Sequence, residues 1–233
     1  MPPPLAAGAP QPSANPRDFN GAWFHDTGGV LLSQMKSDMF GDPIPFTAIG
    51  KKVAERRFIG FTKGPPYINA STHCLPPGAP GQLELTFPFL IFQAKDRLDF
   101  VFEEYHGLWE IMMDPARAGP PGYMGRSVGH WEGNTLVVQI SGLKEGLWIE
   151  PLGTPISKDG KLTMRIRKVK SDHWYLEVQN TVDDPRYYTR PWSWMKAYAW
   201  RPDMTLMHEY DCELQVGDPS VNADAGVIPE PND

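Results

Sequence analysis

One stretch of the 233-residue sequence pairs a carboxylate with an imidazole on what we predict is a β-strand. Residues 98–106 alternate in polarity, which places on one strand face Phe100, Phe102, Glu104 and His106. A carboxylate two residues away can orient an imidazole or raise its basicity, so we predict His106 as a general base assisted by Glu104. The alternative is that both residues lie at the exposed end of the strand, where polar side chains collect.

Two further ionisable residues share strand faces with tryptophans. His25 lies two residues after Trp23, and Lys196 lies two residues after Trp194. We predict His25 or Lys196 as the acid that partners His106. The alternatives are a hydrogen-bonded structural histidine and a lysine that is held by cation–π contact or reaches past an aromatic rim to solvent.

Aromatic and polar side chains elsewhere suggest the walls of a binding site. Tyr123 and Arg126 end a Gly/Pro-rich loop; a tyrosine can donate to a phenoxide, whereas an arginine can fix an anionic substituent or pair with a surface acid. The chain holds 8 Trp, 8 Tyr and 11 Phe, which suit a flat aromatic ligand. The predicted binding residues are Trp23, Trp109, Tyr123, Arg126, Trp194, His208 and Tyr210.

Composition and missing motifs exclude several other functions. The net charge of -6 gives no basic field for nucleic acid, and Pro88 interrupts the apolar stretch 85–92, so we predict no membrane span. Residues 208–213 hold metal-ligand types, but neighbours on a strand face opposite sides, so we predict no metal site. The sequence contains neither a dinucleotide fingerprint nor a phosphate-binding loop, and we predict no cofactor.

Strands must position these residues, because 22 glycines and 25 prolines disfavour a helical bundle. A period of two predicts strands at 20–26, 83–92, 98–106, 108–113, 135–140, 162–169, 174–182, 193–200 and 205–213. Glu132-Gly133-Asn134 predicts a hairpin turn, and residues 45–57 predict one short helix with Thr47 as its N-cap. This pattern favours an all-β antiparallel barrel or sandwich.

The ends of the chain differ in composition from its middle. Residues 1–18 are rich in Pro and Ala and predict a flexible lead-in, 19–216 a single β domain, and 217–233 an acidic flexible tail. Two Pro/Gly-rich loops, 64–81 and 115–126, are expected to frame the mouth of the pocket. Cys74 and Cys212 can form a disulfide in an oxidising compartment. The sequence as written has no secretory signal and predicts a cytoplasmic protein, or a periplasmic one if its N-terminus has been trimmed. A homodimer stays open.

Gly21-Ala22-Trp23 resembles the Gly-x-Trp signature of lipocalin-like barrels. A second resemblance, to a large and mostly uncharacterised bacterial β-barrel family, covers most of residues 19–213. Four blocks carry it: Cys74-x-Pro-Pro-Gly-x-Pro, Ser127-Val-Gly-His-Trp-Glu-Gly-Asn-Thr-Leu-Val-Val138, Asp183-Asp-Pro-x-x-Tyr-Thr-Arg-Pro-Trp192 and Glu209-Tyr-Asp-Cys-Glu213. These resemblances imply a single lipocalin-like (calycin-like) antiparallel barrel.

The family resemblance also implies a candidate chemistry. Such proteins are common in bacteria that degrade aromatic compounds, where some pathway members are cofactor-free lyases that release formaldehyde from lignin-derived dimers. This chain departs from the usual family pattern at Ile156 and at Ile166-Arg167, where relatives commonly carry His and Glu-Arg. It also has Trp109-Glu110-Ile111 where relatives commonly carry an Arg before an Ile-Tyr strand. A remodelled site is therefore expected.

Two functions follow as expectations. The first is a cofactor-independent lyase or isomerase acting on a hydrophobic aromatic small molecule. Its base would be His106, its base assistant Glu104 and its acid His25 or Lys196. The second is a carrier that binds an apolar aromatic ligand without changing it. Binding needs only aromatic walls, whereas catalysis also needs titratable groups that point inward.

Overall fold

Nine strands close into a barrel in the computed structural model, which describes residues 4–25, 35–63, 74–85 and 87–204. Each strand pairs with the next along the chain, and the ninth pairs with the first. The strands are β1 (Gly21–His25), β2 (Phe89–Gln93), β3 (Arg97–Phe102), β4 (Leu108–Met112), β5 (Arg126–Glu132), β6 (Thr135–Ser141), β7 (Lys161–Lys170), β8 (Trp174–Asp183) and β9 (Trp192–Trp200). The prediction of an all-β barrel is confirmed.

One strand pair departs from the predicted antiparallel arrangement. Strands β4 and β5 pair in parallel, with Met112 opposite Val128. Parallel neighbours need a connection that returns to the starting end of the sheet, and residues 113–125 supply it. The prediction of an entirely antiparallel barrel is therefore wrong, and the barrel is mixed.

Alternating side chains fill the barrel interior. On β7 the residues Leu162, Met164, Ile166 and Lys168 are all buried, while the residues between them are less so. Strand β8 buries Leu176, Val178, Asn180 and Val182 in the same way. This period of two is what a strand with one face on the core requires, and it is the pattern read from the sequence.

Several strand boundaries differ from the prediction. Strand β3 ends at Phe102, and a turn of 3₁₀ helix, Glu104–His106, replaces the predicted continuation. Strand β2 begins at Phe89, six residues later than predicted, because helix α2 occupies Ala79–Leu83. The predicted hairpin at Gly133 is confirmed and joins β5 to β6, although β5 was absent from the predicted strands. The predicted strand 205–213 lies outside the described residues.

Two helices pack on the barrel. Helix α1 (Ala48–Lys63) is six residues longer than predicted at its C-terminal end, and Thr47 caps it by accepting from the Gly50 amide at 3.0 Å. Helix α2 (Ala79–Leu83) is short and fully buried, and Pro80 lies in its first turn. In the described residues, neither helix is long and apolar enough to cross a membrane.

Helix α2 marks one end of the barrel. The Leu83 carbonyl accepts from the Tyr198 hydroxyl at 2.7 Å, and the Gln82 amide donates to the Glu104 carbonyl at 3.2 Å. Strands β1 and β3 run in the same direction because each pairs antiparallel with β2. His25, which ends β1, and the turn that follows β3 therefore lie at this same end.

Chain segments preceding β1 contact the opposite end. The Lys168 ammonium donates to the carbonyls of Ser13 and Asp18, and the Trp200 indole donates to the Pro10 carbonyl at 2.9 Å. Phe19 packs on the Trp131 ring at 5.3 Å between centroids. These contacts hold residues 10–19 on the barrel; the flexibility of residues 1–18 stays a prediction.

Candidate functional site

A lysine, a glutamate and a histidine meet inside the barrel beside α2. Lys196 Nζ lies 2.6 Å from Glu84 Oε2 and 3.3 Å from His25 Nε2. The second Glu84 oxygen, Oε1, accepts from the Trp194 indole at 2.8 Å. We call these three residues, Glu84, Lys196 and His25, the Glu–Lys–His cluster.

Three elements bring the cluster together. Strand β9 turns Trp192, Trp194, Lys196 and Tyr198 inward by its alternation. His25 pairs with Tyr198 in the ladder between β1 and β9. Lys196 lies two residues before Tyr198 on the same face of β9, so its side chain reaches His25. Glu84 directly follows α2, and its amide closes the helix by donating to the Gly81 carbonyl at 3.1 Å.

Burial sets the protonation of the cluster. Burial and, to a lesser extent, the charge of the neighbouring Lys196 together lower the pKa of His25 to about 4. His25 is therefore neutral at pH 7, so its Nε2 accepts from Lys196 and its Nδ1 carries the proton. Burial raises the pKa of Glu84, while Lys196 and the Trp194 indole oppose that rise by favouring the carboxylate.

A second buried carboxylate acts on the cluster. Glu150 Oε1 accepts from the amide and hydroxyl of Thr154 at 2.9 and 2.5 Å, and its Oε2 accepts from the Leu152 amide at 2.5 Å. Burial raises the pKa of Glu150, and the Lys196 charge opposes the rise. The charge of Glu150 in turn raises the pKa of Glu84. Two buried carboxylates thus act on one ammonium.

Aromatic rings surround the cluster. The Tyr198 ring meets the His25 imidazole edge-on at 5.8 Å and the Phe89 ring at 5.1 Å. On the other side, Trp194 packs on Trp192 at 5.1 Å. Apolar surroundings strengthen the electrostatic interactions between the three charged or polar groups, because they exclude water.

Several predicted site residues do come together. His25, Lys196 and Trp194 belong to the cluster or contact it directly. Trp23 points inward as predicted from its shared face with His25, but it is fully buried, donates to the Phe19 carbonyl at 2.9 Å and packs on Trp200. Its described contacts are those of a core residue.

The predicted pairing of Glu104 and His106 on one strand face is wrong. Tyr105 and His106 adopt left-handed backbone conformations, with φ of 58° and 45°, so the strand alternation stops before Glu104. Glu104 is buried whereas His106 is exposed. Whether either residue takes part in catalysis stays a prediction.

The remaining predicted binding residues are dispersed. Trp109 is buried on β4 and donates to the Ser127 hydroxyl at 2.7 Å. Tyr123 lies under the Lys144 ammonium at 4.7 Å, and the Arg126 guanidinium donates to the carbonyls of Pro115 and Ala118. His208 and Tyr210 lie outside the described residues.

Cys74, five residues before the start of α2 at Ala79, is disulfide-bonded. The sequence contains one other cysteine, Cys212, which lies outside the described residues. The sequence left this bond open as an alternative. Cys74 lies in the segment that leads into α2 and so to Glu84.

Sequence reasoning missed both buried carboxylates. Glu84 was placed within a predicted strand, although Pro80 shortly after Gly78 is a signal for the first turn of a helix. Glu150 lies in an irregular stretch, where periodicity carries no information about burial. In the described part of the chain, no group of three or more His, Cys, Asp or Glu residues could hold a metal ion.

Comparisons with protein-family models, with curated proteins and with solved structures found no match.

Proposed function

We propose that this protein is a cofactor-independent lyase or isomerase that moves a proton on a hydrophobic aromatic small molecule. The observation that supports the proposal is the Glu–Lys–His cluster, in which a carboxylate and an imidazole lie within 3.3 Å of one ammonium, so that three groups capable of proton transfer meet. The aromatic rings around the cluster match a flat, apolar ligand.

Each member of the cluster has a role in this proposal. Glu84, whose pKa burial raises, is the base, a role that the sequence assigned to His106. Lys196 is the acid or the donor to a developing oxyanion. Neutral His25 holds the ammonium in place through Nε2.

For a lignin-derived dimer the reaction would be a formaldehyde release. Glu84 takes the proton of a primary hydroxyl, the hydroxyl oxygen forms the carbonyl of formaldehyde, and the adjacent carbon–carbon bond breaks. The electron pair of that bond passes to the aromatic fragment, which takes a proton from Lys196, and Lys196 recovers a proton from Glu84. The products are formaldehyde and the fragment with a hydrogen in place of its hydroxymethyl group. No electrons are gained or lost in this step.

The test is incubation of the purified protein with a panel of lignin-derived dimers, with assays of formaldehyde and of product spectra. We expect turnover by the wild type and by Glu55→Gln, an exposed carboxylate on α1. We expect at least a hundredfold loss for Glu84→Gln, because the base is removed. Full activity of Glu84→Gln would overturn the assignment of the base.

A carrier is the second candidate, and one observation favours it. The 2.6 Å ion pair engages Lys196 and Glu84 with each other, which suits a site that binds a ligand without transferring a proton. Dimers that bind at micromolar affinity and are recovered unchanged would support the carrier and exclude the lyase for that class of substrate.

A further inference from the structure

The cation of the Glu–Lys–His cluster, Lys196, already has a negatively charged partner. Lys196 faces the carboxylate of Glu84, and Glu150 adds a second negative charge within electrostatic reach of both. A ligand anion that approached Lys196 would have to compete with these two carboxylates.

The neighbouring buried charges do not change this balance. Arg57 of α1 donates to the Leu147 carbonyl at 3.1 Å and lies over the Trp148 ring at 5.0 Å. Its charge acts on Tyr188, as do the charges of Asp184 and Glu150. Among these described groups, carboxylates outnumber cations.

The rest of the chain offers few candidates to reverse the balance. The segments outside the described residues, at 1–3, 26–34, 64–73, 86 and 205–233, contain no Lys or Arg in the sequence. Arg126, which the sequence suggested as an anion clamp, donates its guanidinium to backbone carbonyls instead.

A neutral oxygen, by contrast, fits the cluster. An ammonium has three N–H donors, and Lys196 uses two of them, on Glu84 and His25. The third has no partner among the described residues, and about a quarter of the side chain is exposed, at 26%. A hydroxyl or carbonyl oxygen needs this donor and no counter-charge.

We infer that the site selects uncharged aromatic alcohols, phenols and aldehydes over aromatic carboxylates, because Glu84 already faces Lys196 at 2.6 Å, and that Glu150 contributes to this preference. The inference rests on the proposed function, since it concerns the ligand of the same cluster. It is also consistent with the proposed chemistry. A proton that moves from ligand to Glu84 leaves the total charge of the filled site unchanged, whereas a preformed anion would add to it.

The experiment compares two ligands of the same shape, vanillyl alcohol and vanillate, at pH 7.5 by isothermal calorimetry and by tryptophan fluorescence. For the wild type we expect the alcohol to bind at least tenfold more tightly. For Glu150→Gln we expect the ratio of the two affinities to fall severalfold, while the exposed control Glu55→Gln keeps the wild-type ratio. Thermal melting checks that Glu150→Gln remains folded.

The wild-type arm tests the inference even if Glu150→Gln fails to fold. Equal binding of the two ligands, or tighter binding of vanillate, would overturn the inference and leave the proposed function standing. An unchanged ratio in folded Glu150→Gln would overturn the role of Glu150. Absence of binding by both ligands would count against the proposed function itself, and with it the inference.

Discussion

Two lysines point into the barrel, and their partners differ. Lys168, on β7, donates to the backbone carbonyls of Ser13 and Asp18 at the end covered by the N-terminal segment. Lys196, on β9, faces a carboxylate and an imidazole beside α2. Backbone carbonyls cannot take up a proton, so the first arrangement is an anchor. The partners of Lys196 can, and the proposed function assigns this lysine to proton transfer.

The largest expected effect is on stability when Lys196 is removed. Lys196→Met leaves Glu84 buried without its counter-charge, which typically costs about 3 to 5 kcal/mol. Urea unfolding at pH 7 measures the loss. Adding Glu84→Gln to Lys196→Met should restore much of it, because the buried charge is then gone; a double variant no more stable than Lys196→Met would contradict the pairing.

The next effect distinguishes the two lysine environments by pH. The pKa of His25 is about 4 in the folded protein and near 6.5 in an unfolded chain. The unfolded chain therefore binds more protons between these values. The stability that neutral His25 provides is complete above pH 6.5 and is lost as the pH falls toward 4, by up to about 3 kcal/mol.

His25→Gln isolates the contribution of His25 to the pH dependence of stability. The raised pKa values of Glu84 and Glu150 stabilise the folded state as the pH falls, and they do so in the wild type and in the variant alike. Unfolding free energies measured from pH 7.5 to 4 should fall more steeply for the wild type than for His25→Gln. Parallel curves would show that His25 titrates normally. Lys168→Met should keep the wild-type steepness.

Removal of Lys168 should release the N-terminal segment and leave the cluster intact. Lys168→Met removes the charged donor of two carbonyls, and we expect it to lower the free energy of unfolding by about 2 kcal/mol. Hydrogen exchange should then speed up in residues 10–19, with no change at β9. Exchange that speeds up equally in both regions would contradict the separation of the two ends.

The smallest effect concerns one hydrogen bond. Trp194→Phe removes the indole that donates to Glu84 Oε1, and we expect it to lower the free energy of unfolding by about 1.5 kcal/mol. That bond stabilises the carboxylate, so its loss should raise the pKa of Glu84 and move the acidic limb of the activity profile to higher pH. Trp109→Phe, which removes a donor from Ser127 instead, is the matched control and should leave the limb in place.

Predictability from sequence also divides between regular and irregular segments. The alternation that places His25 with Trp23 and Lys196 with Trp194 follows from the period of a strand, and the structure confirms those inward faces. The reversal at Tyr105 and His106 had little sequence signal, because tyrosine rarely adopts a left-handed backbone and histidine does so in only a minority of cases. Glu84 and Glu150 were missed because they lie outside regular strands.

The parallel pairing of β4 with β5 was missed for a related reason. Period and turn residues identify strands, but they do not give the direction in which the chain re-enters the sheet. The 13 residues between Met112 and Arg126 are long enough to return to the starting end, and that length is the signal that distinguishes a crossover from a hairpin.

The most direct test of the account is the rate of formaldehyde release by Lys196→Met and Lys168→Met, assayed side by side on the same lignin-derived dimers. We predict at least a hundredfold loss for folded Lys196→Met and a rate within twofold of wild type for Lys168→Met. Full turnover by Lys196→Met, or equal losses in the two variants, would contradict the claim that the Glu–Lys–His cluster is the reactive site.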